Sequence, residues 1–83
     1  MDAAKGGGDA FSAEMLQKLA ARLKQLRKQK GFANHERFAN ELNVGRSQYW
    51  RYENAENIEF TTLVKIVKAL NMTLAEFFSE GFE

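Results

Sequence analysis

The chain has 83 residues, no cysteine, no proline and a formal net charge of +1. That length allows one small domain, which buries only about 60% of the surface its unfolded chain exposes. The missing cysteines exclude a disulfide framework and a thiolate metal site, and no stretch approaches the ~18 unbroken apolar residues of a membrane span. The opening MDAAKGGGDA has no apolar core of the signal-peptide kind, so a soluble, cytoplasmic protein with no membrane partner is expected. The charge is unevenly spread: residues 1–30 carry net +4, residues 31–53 net 0 and residues 54–83 net −3. Such a polar chain suits a partner that offers negative charge to one end, nucleic acid among them.

Residues 1–10 are rich in Gly and Ala and have no periodicity, which predicts a flexible tail ahead of a single domain over 11–83. From Phe11 the pattern changes. Leu16, Leu19, Leu23 and Leu26 recur at spacings of three and four, the mark of one helix face. Asp9 or Ser12 can cap its start and Gly31 ends it. Lys18, Arg22, Lys24, Arg27, Lys28 and Lys30 fall mainly off the apolar stripe, toward the end where the macrodipole favours cations. Asn34 is a good cap for a short second helix through Leu42. Asn43 follows, the residue type best able after Gly to turn left-handed. A third helix begins at Gly45 and runs to about Asn54. After a connector over 56–60, Leu63, Ile66, Val67 and Leu70 mark a fourth helix, starting near Thr61 or Thr62 and ended by Asn71. Thr73-Leu74-Ala75-Glu76 reads as a capping box for a fifth helix of about two turns, carrying Leu74, Phe77 and Phe78 inward. No alternating stretch argues for a strand. The expected class is all-α with five helices.

The segment RFANELNVGRSQYWRYENA shows why the second and third helices belong together. Its apolar positions, Phe38, Ala39, Leu42, Val44, Tyr49 and Tyr52, are those of two short helices meeting at a fixed angle. Ala39 must be small because the third helix crosses the second there, and Asn43 turns the chain. The outer face of the third helix is left to Arg46, Ser47, Trp50 and Arg51.

These features resemble the Cro/C1-type (XRE-like, lambda-repressor-like) helix-turn-helix regulators over roughly Leu16 to Phe78, with the unit itself at about 34–54. LKQLRKQKG before the unit, RYEN at its end and ALNMTLAEFF after it carry the likeness beyond the turn alone. The sequence departs from the family pattern at several places: Asn43 and Ala55 stand where Gly is usual, His35 where Gln is usual, and Trp50 where a small or polar residue is usual. The loop over 31–34 is one residue longer than the common pattern.

The resemblance implies roles residue by residue. Arg46, Ser47 and Arg51 match base-reading positions; an Arg there can bond guanine O6 and N7 together, worth about 1–3 kcal/mol of discrimination. Gln48, at the edge, is a candidate for base or phosphate. Trp50 points away from Tyr49; it either touches thymine methyls or sugar, or packs in a groove between helices. Asn34 and His35 match the end of the second helix that sits on the phosphate backbone, with Lys28 and Arg27 as further phosphate candidates. Arg27 is also expected to pair with Glu53. Double-stranded DNA is the implied partner, met by a homodimer associating through the last helix, with a protein such as a toxin as a further partner. No cofactor or metal is expected. A protein–protein adaptor on the same fold is the alternative. An enzyme is disfavoured, since Ser12, Ser47 and Ser79 form no organised motif with the single histidine, His35.

Overall fold

The computed structural model describes residues 9–83 as five helices: α1 (Ala10–Gln29), α2 (His35–Leu42), α3 (Arg46–Glu53), α4 (Phe60–Ala69) and α5 (Leu74–Phe77). No strand occurs among the described residues, and the class is all-α as the periodicity predicts. At the start of α1, the Asp9 carboxylate accepts from the Ser12 amide at 2.7 Å and from its hydroxyl at 3.0 Å. Those bonds hold the Asp9 carboxyl below its ordinary pKa. Asp9, not Ser12, is therefore the cap. The last two residues of the expected tail, Asp9 and Ala10, belong to the helix; residues 1–8 of that tail lie outside the described residues.

Four of the five helices stop by one device. The amide two residues past the last turn reaches back five positions: Phe32 to Arg27 at 3.1 Å, Val44 to Ala39 at 2.9 Å, Glu56 to Arg51 at 3.1 Å and Met72 to Val67 at 3.2 Å. Closing that turn takes one residue in the left-handed region. The four that adopt it are Gly31 (φ 89°), Asn43 (φ 61°), Ala55 (φ 67°) and Asn71 (φ 61°). Gly and Asn tolerate the conformation. Ala55 does not, because its Cβ crowds the following carbonyl.

The core is built from α1 outward. Leu19, Leu23 and Leu26 of α1 meet Phe38, Ala39 and Leu42 of α2, Tyr49 and Tyr52 of α3, and Leu63, Ile66 and Val67 of α4. Ala39 is wholly buried, so the position has no room for a larger side chain. The Phe38 ring lies edge-on to Tyr49 at 5.5 Å between centroids and 5.2 Å from Phe32. Leu16 and Val44 pack against this core from its margin.

Three features correct the sequence reading. α4 begins one or two residues earlier than expected, with Glu59 as its cap residue and Phe60 already helical. α5 is one turn rather than two, and the Thr73–Glu76 capping box starts it in both directions. A single turn can aim only one ring at the core. Phe77 is fully buried, while Leu74 and Phe78 remain 36% and 41% exposed. Arg22, assigned by pattern to the solvated side of α1, is instead buried. Its guanidinium donates to the carbonyl of Phe77 at 2.7 Å and of Glu76 at 3.0 Å, and lies 5.7 Å from the Phe77 ring centroid. Gln25 adds a bond to Glu80 at 2.9 Å. α1 thereby holds the end of a helix too short to persist alone.

Ala55 supplies a stability test. Relief of left-handed strain is worth roughly 1–2 kcal/mol, offset by the extra unfolded freedom of Gly, roughly 0.5–1 kcal/mol. Ala55→Gly is expected to raise the midpoint of thermal unfolding by a few degrees, and Ala55→Val to lower it; a fall with Gly would contradict the strain.

Candidate nucleic-acid interface

The face that α3 presents is fixed from behind. Arg27 Nε donates to Glu53 Oε2 at 2.8 Å and its Nη2 to Glu53 Oε1 at 3.2 Å. The remaining terminal nitrogen donates to the carbonyls of Phe32 at 3.0 Å and Ala33 at 2.7 Å. One planar fork therefore joins α1, the loop entering α2, and the last residue of α3. Glu53 Oε2 also accepts from the Tyr49 hydroxyl at 2.5 Å. Burial, reinforced by that bond, pushes the Tyr49 hydroxyl well above its ordinary pKa, and the bond to Glu53 raises the already high value of Arg27. The side chains of Arg27 and Glu53 are 8% and 6% exposed. The expected ion pair is present, and the same geometry engages all three guanidinium nitrogens of Arg27 inside the fold, which leaves it little surface for the expected phosphate contact.

Outside this anchor lies an open groove lined by His35, Glu36, Arg46, Ser47, Trp50 and Arg51. Arg46, Ser47 and Arg51 are all exposed there. Arg46 and Ser47 form the first turn of α3, whose cap residue Gly45 offers no side-chain bond to the leading amides. Those amides and the two guanidiniums together favour an anionic or acceptor-rich partner. Arg51 meets Glu56 at 3.8 Å with both side chains about half exposed, a pair too open to restrain it. Trp50 is 48% exposed and lines this groove between α2 and α3, with half of its surface left open. Gln48 is not part of the groove; its amide donates to the Tyr52 hydroxyl at 2.5 Å. At the start of α2, the Asn34 side-chain oxygen accepts from the Arg37 amide at 3.0 Å, so Asn34 caps the helix and keeps only its amide protons to offer outward. His35 is half-buried beside the groove, and Lys28 is exposed in the last turn of α1. The structural turn is as the residues suggest: Asn43 is left-handed and Ala39 buried beneath it. Glu36, a groove residue, escapes sequence reasoning because an acid in the first turn of a helix already has a local explanation.

Two helices locked at a left-handed turn, the second carrying arginines on its open face, are the build of a DNA-binding transcriptional regulator. Comparison with known proteins agrees. The helix-turn-helix family matches residues 23–77. Control protein C.MunI from a Mycoplasma sp is 38% identical over 60 residues, covering 71% of this chain and 81% of that protein. No solved structure matches the chain. The chain belongs to the helix-turn-helix family of Cro/C1-type regulators. Among the described residues, no helix is long and apolar enough to cross a membrane, and no three or more His, Asp or Glu residues gather as a metal site would require.

The anchor and the open face should separate cleanly in urea unfolding. Removing one partner of a buried pair costs about 3–5 kcal/mol, so Arg27→Ala should lose most of the stability of a domain this small. Arg46→Ala and Arg51→Ala should stay within about 0.5 kcal/mol of wild type. Comparable losses in all three would refute the division of roles.

Proposed function

We infer that the protein is a sequence-specific regulator of transcription that reads the major groove of double-stranded DNA with α3. Arg46, Ser47 and Arg51 contact base edges, while Asn34, His35 and Lys28 meet the phosphate backbone. The observation that carries this reading is the convergence of Arg46, Ser47 and Arg51 on one exposed groove, on a helix held by a buried ion pair. Gln48 is left as a support for Tyr52 rather than a base reader. The regulator acts without catalysis, by occupying an operator in the cytoplasm, on the nucleoid. It is a repressor, free-standing or as the antitoxin half of a toxin–antitoxin pair. The relative's name, a control protein, supports the regulatory role.

The working form is a homodimer. Phe60 and Val64 stand one turn apart on α4, Leu74 and Phe78 one turn apart at α5, and all four are exposed. Val64 and Leu74 line one cleft together with Val67 and Met72, which brings one member of each pair to the same surface. A second copy is the occupant that fits, because a two-fold contact sets apolar against apolar on both sides and gives the two reading helices that half-sites about 34 Å apart require.

Fluorescence anisotropy against random duplex DNA, over a salt series, tests the first part. Binding should weaken steeply with salt, and Arg46→Ala should lose about 1–3 kcal/mol on the tightest sequences with little change on the rest. No binding at low salt would overturn the DNA reading in favour of a protein adaptor. For the second part, sedimentation equilibrium should show a dimer that Val64→Asp converts to a folded monomer; a wild type that is monomeric at high concentration, with and without DNA, would refute it.

A further inference from the structure

We propose that Trp50 is a thymine reader: its indole face packs on the C5-methyl group of a thymine within about two base pairs of the base that Arg46 contacts. The inference rests on the DNA reading above and adds the chemistry of the target to it. Four observations lead there. Trp50 is 48% exposed although Tyr49 and Tyr52, its neighbours on α3, are buried, so the core makes no use of it. Among the described residues it is the one large apolar side chain left exposed on α2 or α3; the other exposed ones belong to α1, α4 and the α5 end. It lies one turn beyond Arg46 and Ser47, and lines the same groove with them and Arg51. Its indole N–H has no partner among the hydrogen bonds of the described residues, so no hydrogen bond within the fold commits the ring.

The chemistry of the groove selects the occupant. Base edges in the major groove offer acceptors and donors, and one apolar group, the thymine methyl. An indole face set over guanine O6 or cytosine N4 would strip water from a polar atom and return no hydrogen bond. Over a methyl it removes water from two apolar surfaces. The ring therefore favours thymine by attraction and disfavours cytosine by stranding its amino group. Four residues advance the helix by about 6 Å, close to two base steps at about 3.4 Å each. This places the methyl near the base met by Arg46.

The test begins with duplexes selected by wild type from a random pool. Each thymine of the tightest duplex is then replaced singly by deoxyuridine, which keeps the pairing edge and O4 and lacks only the methyl. One position per half-site should weaken binding roughly four-fold, the value of burying one methyl-sized group. Trp50→Ala should bind the thymine and deoxyuridine duplexes equally while keeping the preference that depends on Arg46, and Trp50→Phe should retain part of the methyl effect. Trp50 is the chain's single tryptophan, so its emission reports directly on its surroundings and should shift at saturation with the thymine duplex. A selected duplex with no deoxyuridine-sensitive position, or a sensitivity that Trp50→Ala leaves intact, overturns this inference alone. Failure of wild type to bind any duplex at low salt overturns the DNA reading and this inference together.

Discussion

The position of α3 depends on one guanidinium. Arg27 grips both carboxylate oxygens of Glu53 and, with its remaining nitrogen, two consecutive carbonyls of the loop before α2. Burying two charges carries a desolvation cost, and such a pair adds little stability against a well-packed apolar substitute. What it adds here is geometry. Apolar contacts between Phe38, Leu42 and Tyr49 are tolerant of small slides. A planar fork with fixed donors is not. Glu53 is the last residue of α3 and also accepts from Tyr49, one turn earlier in the same helix, whose ring is wholly buried, so the anchor and the core act on the same inner side. Its outer side is thereby free to carry residues chosen for their partner alone.

The chain is also arranged by charge. Its basic first third contributes α1, and its acidic last third contributes α4, α5 and the segment after them. The exposed apolar residues at Phe60, Val64, Leu74 and Phe78 belong to that acidic third, which a polyanion would repel. The proposed DNA face and the proposed association face thus compete for neither residues nor partner chemistry. Glu36 is the exception, an acid inside the arginine-lined groove. It stands at the start of α2, where a negative charge complements the helix amides.

The fold was legible where a local rule governs it. Leucine spacing, the Asn34 cap, the left-handed Asn43 and the Thr73–Glu76 box each depend on residues within a turn or two of each other, and each occurs as read. The errors fall where a distant partner decides. Arg22 looks solvated in any periodicity argument, yet its partners are carbonyls 54 and 55 positions away. Phe78 reads as inward on a fifth helix of two turns, but a one-turn helix has one inward position and Phe77 fills it. For the site, the sequence indicated which residues share the open face of α3. It did not show that Gln48 turns aside to Tyr52, that Arg27 is largely enclosed or that Trp50 stays half exposed, since each depends on side-chain direction rather than on spacing.

The Arg22 clamp bears on how much the assembly can give. α5 carries part of the apolar face, and its last carbonyls are tied through Arg22 to the middle of α1, which Arg27 ties in turn to α3. Each link on that route is a hydrogen bond from a buried arginine. In the proposed pair of copies joined at α4 and α5, the distance and twist between the two α3 helices would be dictated by the subunits as rigid bodies. An operator whose half-sites are spaced a little wrongly would find no compliance in the protein. The strain would go into the double helix, and the bases between the half-sites, touched by nothing, would be selected for how readily they bend or overtwist.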